Sequence, residues 1–389
     1  MFKHLAFACL ALAAALPAQA QQAGDWQLER VVVVMRHGVR PPTKAEPLPA
    51  GEAGQPWPVW DVDWGDLTKH GAQAVAKVGE FDRATYAGFL GATCPTAHDV
   101  RIVADSDERT VKTAETYVGA MFAGCAVPVE HLAEGQKDPR FAEDGEGLDP
   151  ALALASAQSA LPPGGLAAVD ARYTDGLKAL TRILGCTQAA CDLSRQPATL
   201  DTAKGHLKLT GGLATASTFS EILALEYAED KPMDQVGWGR TNRGEIAGLL
   251  RFHALEYVVT ARPKLSAQSG AKALLTEVRR GLFATDTARY TLMVGHDGNI
   301  AHIGGALGLH WQGGDFAADD PPPAGALIFE LWRDGKGAEH VIVRFRSQTL
   351  DEMRNLTPLS ADASRALALP QCGGATTCDA RTFEAALPN

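Results

Sequence analysis

The chain has 389 residues, of which 46% are hydrophobic and 21% charged, as expected for a globular protein with one large or two medium cores. Its formal net charge of −10 at pH 7 argues against general binding to nucleic acid or to an anionic membrane. An anionic substrate would therefore need a local cationic pocket.

The N-terminus has the pattern of a secretory signal peptide. Lys3 precedes an apolar run from Leu5 to Leu16, and Ala18, Gln19 and Ala20 supply the small residues of a cleavage site. The run is shorter than the roughly 20 residues of a transmembrane helix. Residues 1–20 are therefore predicted to be a signal peptide, and the mature chain is expected to be soluble and either periplasmic or secreted.

Six cysteines remain once Cys9 is removed with this leader. Export favours disulfide bonds, and no pair has the spacing of a zinc site. Proximity in the sequence suggests the pairs Cys94 with Cys125, Cys186 with Cys191, and Cys372 with Cys378.

Three segments share one plan, in which an apolar strand runs into a polar cluster. The predicted strands are Val31–Met35, Val100–Ala104 and Tyr290–Val294. The first is apolar throughout, which is typical of a strand buried on both faces. Helices are predicted after the other two, from Glu108 and from Asn299 onward.

Ligands of an open parallel sheet bind outside the carboxyl ends of its strands. If the three strands are neighbours, six side chains converge there: Arg36, His37, Arg40, Arg109, His296 and Asp297. Arginine suits phosphate because its planar fork donates paired hydrogen bonds and stays charged. The pattern therefore predicts an anion site of phosphate size.

The middle of the chain has a different character. Helical periodicity appears in 209–230 and 243–259, and loop signals occur at 162–165 and around 237–239. We interpret residues 134–280 as an inserted, mainly α-helical domain. Residues 21–133 and 281–389 are then predicted to form the α/β catalytic domain.

The two most reactive groups of this cluster have ordinary alternatives. His37 is a candidate nucleophile for phosphorus, but it could equally be a hydrogen-bonded turn histidine. Asp297 is a candidate proton donor, although capping the following helix would also explain it. The sequence has no recognisable metal-ligand spacing and no Gly-x-Ser-x-Gly elbow, which disfavours metal-dependent and serine hydrolases.

The sequence "RHGVRPP" at 36–42 and the "HD" pair at 296–297 carry a family resemblance. They resemble the R-H-G-x-R-x-P and His-Asp motifs of the histidine acid phosphatases, which are branch 2 of the histidine phosphatase superfamily. Further segments look like periplasmic bacterial phytases in order and spacing, namely "LTKHG", "DERTVKT", "GWGR", "GHDGNI" and "GGALGLHW".

The resemblance implies a fold, a mechanism and a set of roles. The fold would be a phosphoglycerate mutase-like α/β sheet with flanking helices and an inserted helical domain. The reaction would need no cofactor or metal, with His37 as nucleophile and Asp297 as proton donor. The phosphate would be held by Arg36, Arg40, Arg109 and His296. Thr43, Lys44 and Asp105 would lie near the substrate.

We therefore expect an acid phosphomonoesterase that hydrolyses phytate (myo-inositol hexakisphosphate) through a phosphohistidine, and that acts as a monomer on small molecules. One departure from the phytases is Gly298, which stands where they usually have threonine. A glucose-1-phosphatase or a broad-specificity sugar phosphatase is therefore an alternative. A phosphoglycerate mutase-like transferase and a non-catalytic phosphate-binding protein are further alternatives.

Overall fold

The structure is a computed structural model, and it describes residues 26–48, 53, 55–143, 148–185, 187, 191–203 and 206–388. The predicted signal peptide and Cys186 lie outside these residues. No helix in the described ranges is both long and apolar enough to cross a membrane.

The strands form one mixed sheet and one small hairpin. Their bounds are β1 (Gln27–Arg36), β2 (Val100–Ala104), β3 (Thr199–Ala203), β4 (His206–Thr210), β5 (Tyr290–Gly295), β6 (Ala326–Arg333), β7 (Glu339–Arg346), β8 (Ser364–Ala366) and β9 (Cys378–Asp379). The large sheet has the order β2-β5-β1-β6-β7-β8, with β9 also paired to β7, and β3 pairs with β4.

The helices flank this sheet or form a separate layer between β2 and β5 in the sequence. Their bounds are α1 (Lys69–Leu90), α2 (Glu108–Met121), α3 (Pro150–Ala160), α4 (Gly165–Leu184), α5 (Gly212–Ala228), α6 (Arg243–Leu249), α7 (Arg251–Thr260), α8 (Lys264–Gly270), α9 (Lys272–Phe283), α10 (Asp297–Leu307), α11 (Leu350–Asn355) and α12 (Ala380–Ala385).

Strand β1 is buried on both faces, because helices cover the sheet on either side. Val31, Val33 and Met35 pack in the cluster that includes α1 and α2. Val32 and Val34 point the other way, into the cluster that includes α9 and α10. The valine run therefore packs into the apolar clusters on both faces of the sheet. The prediction of a strand buried on both faces is confirmed.

The three predicted strands are neighbours in one sheet, as expected, and β1 has a further neighbour that was not predicted. Strand β5 lies parallel between β1 and β2, so the carboxyl ends of these three strands meet at one edge. On its other side, β1 pairs with the antiparallel strand β6. The sheet is thus half parallel and half antiparallel, and the parallel half brings the polar clusters together.

The region between β2 and β5 is mainly helical and has its own apolar core. Helix α5 is its centre and is buried almost all round, with α4 and α7 packed against it. The predicted helix over 243–259 is divided into α6 and α7 at Leu250. The hairpin of β3 and β4 has no counterpart in the sequence prediction. The domain boundaries themselves stay a prediction.

Two of the expected disulfide bonds are present. Cys94 pairs with Cys125, and Cys372 pairs with Cys378, with Cα–Cα distances of 5.4 and 5.5 Å. The first lies in the loops before β2 and after α2. The second closes the turn before β9.

A buried ion pair lies beneath the sheet between α1 and β7. Arg346 Nη1 lies 2.7 Å from Asp82 Oδ2, and both side chains are at most 1% exposed. The same oxygen accepts a 2.5 Å hydrogen bond from the Tyr117 hydroxyl. Arg346 also contacts the sulfur of Met35 in β1, so the network ties α1 and α2 to the sheet next to the strand that leads to His37.

Replacing Asp82 with Ala leaves Arg346 charged and buried without its partner. We expect the free energy of unfolding to fall by roughly 3–5 kcal/mol, as measured by urea denaturation at neutral pH. Glu80→Gln on the exposed side of the same helix should change it by less than about 0.5 kcal/mol. Equal stabilities for the two variants would contradict a structural role for the buried pair.

Candidate active site

His37 is fixed by the backbone on both sides. Its N–H donates to Gly295 O in β5 at 3.0 Å, and its carbonyl accepts from Ala324 N at 2.9 Å. Its Nδ1–H donates to Gly38 O at 2.8 Å. A carbonyl oxygen only accepts, so Nδ1 carries the proton and Nε2 is left with its lone pair.

Gly38 allows this arrangement because the chain passes very close to α1. A Cβ at this position would lie 2.7 Å from a Val75 methyl carbon and 2.8 Å from a Leu67 methyl carbon. No other residue fits without moving these side chains. The glycine of "RHG" is therefore a packing requirement that holds the histidine loop against the helix.

The electrostatic environment keeps the His37 ring neutral. Burial, followed by the positive charges of Arg109 and Arg40, holds the pKa of His37 well below its usual range. The side chain is about 1% exposed. A neutral imidazole with a free Nε2 lone pair is the form that attacks phosphorus.

Three arginines surround this ring from different elements. Arg36 is the last residue of β1, Arg40 follows in the loop, and Arg109 lies in the first turn of α2. Each has a buried Nε without a hydrogen-bond partner among the described residues. Arg346, which lies outside the site, also has such an Nε, so it is the clustering of three of these groups around His37 that favours a binding site for an acceptor-rich group.

Glu221 on α5 is a member of the site that the sequence analysis missed. It forms an ion pair with Arg36 and lies 3.4 Å from Arg40 Nη2. Burial opposes its ionisation, but Arg40 and Arg36 lower the pKa of Glu221. A carboxylate in a helix that is otherwise apolar and buried was the available signal, since such residues are rarely buried without a partner.

Asp297 is the first residue of α10, which begins two residues earlier than predicted, with His296 as its N-cap. Its Oδ2 lies 2.7 Å from Arg36 Nη2, and its Oδ1 accepts from Gly298 N at 2.9 Å. Burial would raise its pKa, but Arg36 and His253 hold the pKa of Asp297 well below its usual range. The carboxyl group is therefore ionised in this structure.

His253 on α7 is a second residue that the sequence analysis missed. It lies under the carboxylates of Glu221 and Asp297. Its Nδ1–H donates to the buried Asp320 Oδ1 at 2.6 Å. Its Nε2 lies 3.8 Å from Glu221 Oε1 and 4.0 Å from Asp297 Oδ2. Burial alone would lower its pKa, but Asp320 raises the pKa of His253 to about 9, so this side chain is a cation at neutral pH.

His296 links the two remaining acidic residues of the site to Arg109. Its Nε2–H donates to Asp105 Oδ2 at 2.7 Å, and its Nδ1 accepts from Arg109 Nη2 at 3.4 Å. Arg109 also pairs with Asp107 at 2.5 Å. Burial alone would raise the pKa of Asp105, but the hydrogen bond from His296 lowers it. Asp105 therefore orients the imidazole toward the arginine.

These side chains surround a cleft of about 520 Å³. The sequence-predicted residues that line it are His37, Arg40, Asp105, Arg109, His296 and Asp297, with Arg36 buried beneath them. Thr43 and Lys44 are both exposed and lie outside this wall. Thr43 is nevertheless close to Arg109, because both border Gly65. The roles of all nine residues remain proposals.

Two groups of side chains have metal-ligand atoms within 4.8 Å of one another, Asp105 with Asp107 and His296, and Glu221 with His253 and Asp297. In both groups the carboxylates already face arginines. A metal ion would have to compete with these fixed positive charges, so the electrostatics favour an anion in the cleft.

Comparisons with known proteins agree with this geometry. The family model of the histidine phosphatase superfamily (branch 2) matches residues 27–149 and 262–348. Phytase AppA of Escherichia coli (strain K12) is 33% identical over 372 residues, which cover 88% of this chain and 85% of the relative. Glucose-1-phosphatase of Providencia rettgeri is 27% identical over 362 residues, with 87% and 84% covered.

A solved structure gives the same result for the fold. Hafnia alvei phytase in complex with myo-inositol hexakis sulphate matches with a TM-score of 0.84 and 30% identity, over 93% of this chain and 96% of that one. The chain therefore belongs to branch 2 of the histidine phosphatase superfamily, and it is a phosphatase. The fold class and the family resemblance predicted from the sequence are confirmed.

The His253–Asp320 pair makes stability depend on pH. The folded pKa of about 9 exceeds the ordinary value of about 6.5, so the stabilisation is full below pH ~6.5 and is lost as the pH rises through ~9. The expected loss is about 3 kcal/mol, measured by urea unfolding at pH 6 and pH 10. His253→Gln should remove this part of the pH dependence. An unchanged pH dependence in the variant would exclude the pair as its source.

Proposed function

We propose that this phosphatase is an exported acid phosphomonoesterase that hydrolyses phytate and other phosphate monoesters through a phosphohistidine on His37. The observation that carries the proposal is the neutral His37 ring inside a cluster of three arginines whose Nε–H groups lack partners. An ester phosphate offers the acceptor oxygens that such donors require. Similarity to two named phytases supports phytate as the substrate.

In the first step, Nε2 of His37 attacks phosphorus and the alcohol leaves from the opposite side. Arg36, Arg40 and Arg109 stabilise the charge on the three equatorial oxygens. The Nδ1–H bond to Gly38 O supports the positive charge that develops on the ring. The products of this step are an alcohol and a phosphohistidine.

Asp297 needs a proton before it can protonate the leaving alcohol, but Arg36 and His253 keep it ionised. We assign that proton to the substrate. A phosphate monoester has a second pKa of about 6, so below that pH it enters as a monoanion that still carries one proton. The phosphate charge offsets that of Arg36, which raises the pKa of Asp297 and favours proton transfer to it. An acidic optimum follows from this requirement.

In the second step, water attacks the phosphohistidine and releases inorganic phosphate. Asp297 is ionised again after the first step and accepts the proton of this water. Protonated Asp297 then gives this proton to the departing phosphate, which leaves as H2PO4⁻. Glu221 pairs with Arg36 and Arg40 and balances their charge once the phosphate has left. The cycle ends with neutral His37 and ionised Asp297, and it uses no cofactor.

The proposals on export, domain bounds and oligomeric state rest on the sequence alone. The leader at 1–20 supports export to the periplasm or beyond, and we retain residues 134–280 as the inserted domain. We also retain action as a monomer on small molecules, with no nucleic acid or membrane partner. A glucose-1-phosphatase or broad sugar phosphatase is the second candidate, favoured by the relative in Providencia rettgeri and by Gly298 beside the proton donor.

The purified mature protein should release phosphate from phytate with a higher kcat/KM than from glucose 1-phosphate, with an optimum below pH 6. His37→Ala should lower kcat on both substrates by at least about a thousandfold. His98→Ala, an exposed histidine before β2, serves as the matched control and should retain activity. A clear preference for glucose 1-phosphate would select the second candidate, and full activity of His37→Ala would reject the nucleophile.

Asp297→Asn should separate proton donation from phosphate binding. We expect kcat to fall by roughly 10²–10⁴ on phytate and glucose 1-phosphate, whose alcohols need a proton to leave. In single-turnover measurements with p-nitrophenyl phosphate, which report the first step alone, the loss should be less than about tenfold, because nitrophenolate is a weak base and leaves unprotonated. An equal loss of first-step rate on all three substrates would show that Asp297 does not act as the proton donor.

A further inference from the structure

The side chain that lies over Gly298 belongs to Glu143. A Cβ built at Gly298 would overlap both carboxylate oxygens of Glu143. The glutamate therefore fills the space that opens where Gly298 lacks a side chain. It lies against the first turn of α10, one residue beyond Asp297, where the helix dipole favours a negative charge.

The segment that carries Glu143 is anchored two residues earlier. Phe141 is buried, and its carbonyl accepts a 3.0 Å hydrogen bond from Asn299 Nδ2. The Asn299 Oδ1 in turn accepts from His296 N at 2.9 Å. The phenyl ring lies so close to Gly295 that a Cβ there would be 2.7 Å from Phe141 Cδ1. The same helix start thus positions both the His-Asp pair and the loop that ends in Glu143.

Glu143 stands between the cleft and a second cavity. It lines the cleft of about 520 Å³ and a neighbouring cavity of about 280 Å³. Gly298, His206, Glu256 and Tyr257 also border the second cavity, and none of its described lining residues is lysine or arginine. The second cavity therefore differs from the arginine cluster around His37, although Lys137 lines the cleft together with Glu143 and His206 borders both spaces.

The position of Glu143 relative to the reaction follows from Asp297. A proton donor must reach the ester oxygen, so the alcohol part of the substrate lies on the Asp297 side of the phosphate. Gly298 and Glu143 are next along that wall. A carboxylate there accepts hydrogen bonds from hydroxyl groups of the alcohol and repels a second phosphate group on it.

We propose that Glu143, seated over Gly298, is a specificity-determining residue that favours esters with a free hydroxyl next to the scissile phosphate and disfavours a neighbouring phosphate. The inference rests on the proposed phosphomonoesterase function and deepens it by naming the groups on the alcohol that this one wall of the cleft favours and disfavours, while the arginine cluster still attracts highly phosphorylated substrates. Phytate carries a phosphate on every ring carbon. It therefore binds despite the repulsion between the Glu143 carboxylate and the phosphate next to the scissile one. Sugar monophosphates and inositol rings with few phosphates fit the wall better.

The test is the ratio of kcat/KM for phytate to kcat/KM for glucose 1-phosphate, measured at pH 5.5 and low ionic strength. Glu143→Gln should raise this ratio about tenfold, because it removes one negative charge close to the neighbouring phosphates. Glu143→Asp keeps the charge and should stay near the wild-type ratio. In 1 M salt the difference between Glu143→Gln and the wild type should shrink, since salt screens the repulsion.

Two further variants separate this role from effects on folding or on total charge. Glu80→Gln removes the same charge on the exposed side of α1 and should leave the ratio unchanged. Gly298→Ala introduces the methyl group that displaces the Glu143 carboxylate, and should shift the ratio in the same direction as Glu143→Gln. The double variant should show no additional shift, because both changes act on one group.

Each outcome decides one claim. If the wild type hydrolyses either substrate and Glu143→Gln leaves the ratio within twofold, the specificity role is rejected while the phosphatase proposal stands. If Glu143→Gln lowers both kcat/KM values equally, the residue is structural and the specificity role is also rejected. If the wild type hydrolyses neither substrate, the proposed function fails and this inference fails with it.

Discussion

The ion pairs of Arg36 with Asp297 and Glu221 are the interactions on which the site depends. Arg36 is almost completely buried at the end of the central strand, where an unpaired charge would be very costly. Two carboxylates from α10 and α5 compensate it, one from each side of the cleft. In the proposed mechanism, substrate binding exchanges protein carboxylates for phosphate oxygens around a fixed guanidinium group, and most of the electrostatic cost is met before the substrate arrives.

The sheet supplies the rigidity that this exchange requires. Strand β1 is held by β5 on one side and β6 on the other, and helices cover both of its faces. His37 is the first residue beyond the strand, and its backbone is hydrogen-bonded to the last residue of β5 and to the loop before β6. His37 therefore cannot move without disturbing the centre of the fold.

Sequence patterns identified the parts of the site that lie next to strong local signals. The valine run, the "RHG" turn and the strand-to-helix units identified His37, Arg36, Arg109 and Asp297, because each follows a strand whose apolar run is unmistakable. Glu221 and His253 follow no strand, and the buried carboxylate signal of α5 did not single out Glu221 because Glu226 on the same helix shares it. Their proximity to the cleft depends on how the helical layer packs onto the sheet. Glu143 follows an irregular loop whose path depends on Asn299.

The pairing of β1 with β5 and β6 determines when the site can form. The hydrogen bond from Arg36 to the carbonyl of Pro321 joins residues 285 positions apart in the chain. A ribosome-bound chain that ends before α9 has His37 and all three arginines, yet lacks β5, β6 and Asp297. Such a fragment has neither the strands that hold His37 nor the proposed proton donor. Catalytic competence is therefore a property of the nearly complete chain, and contacts of such long range are formed late and slowly in folding.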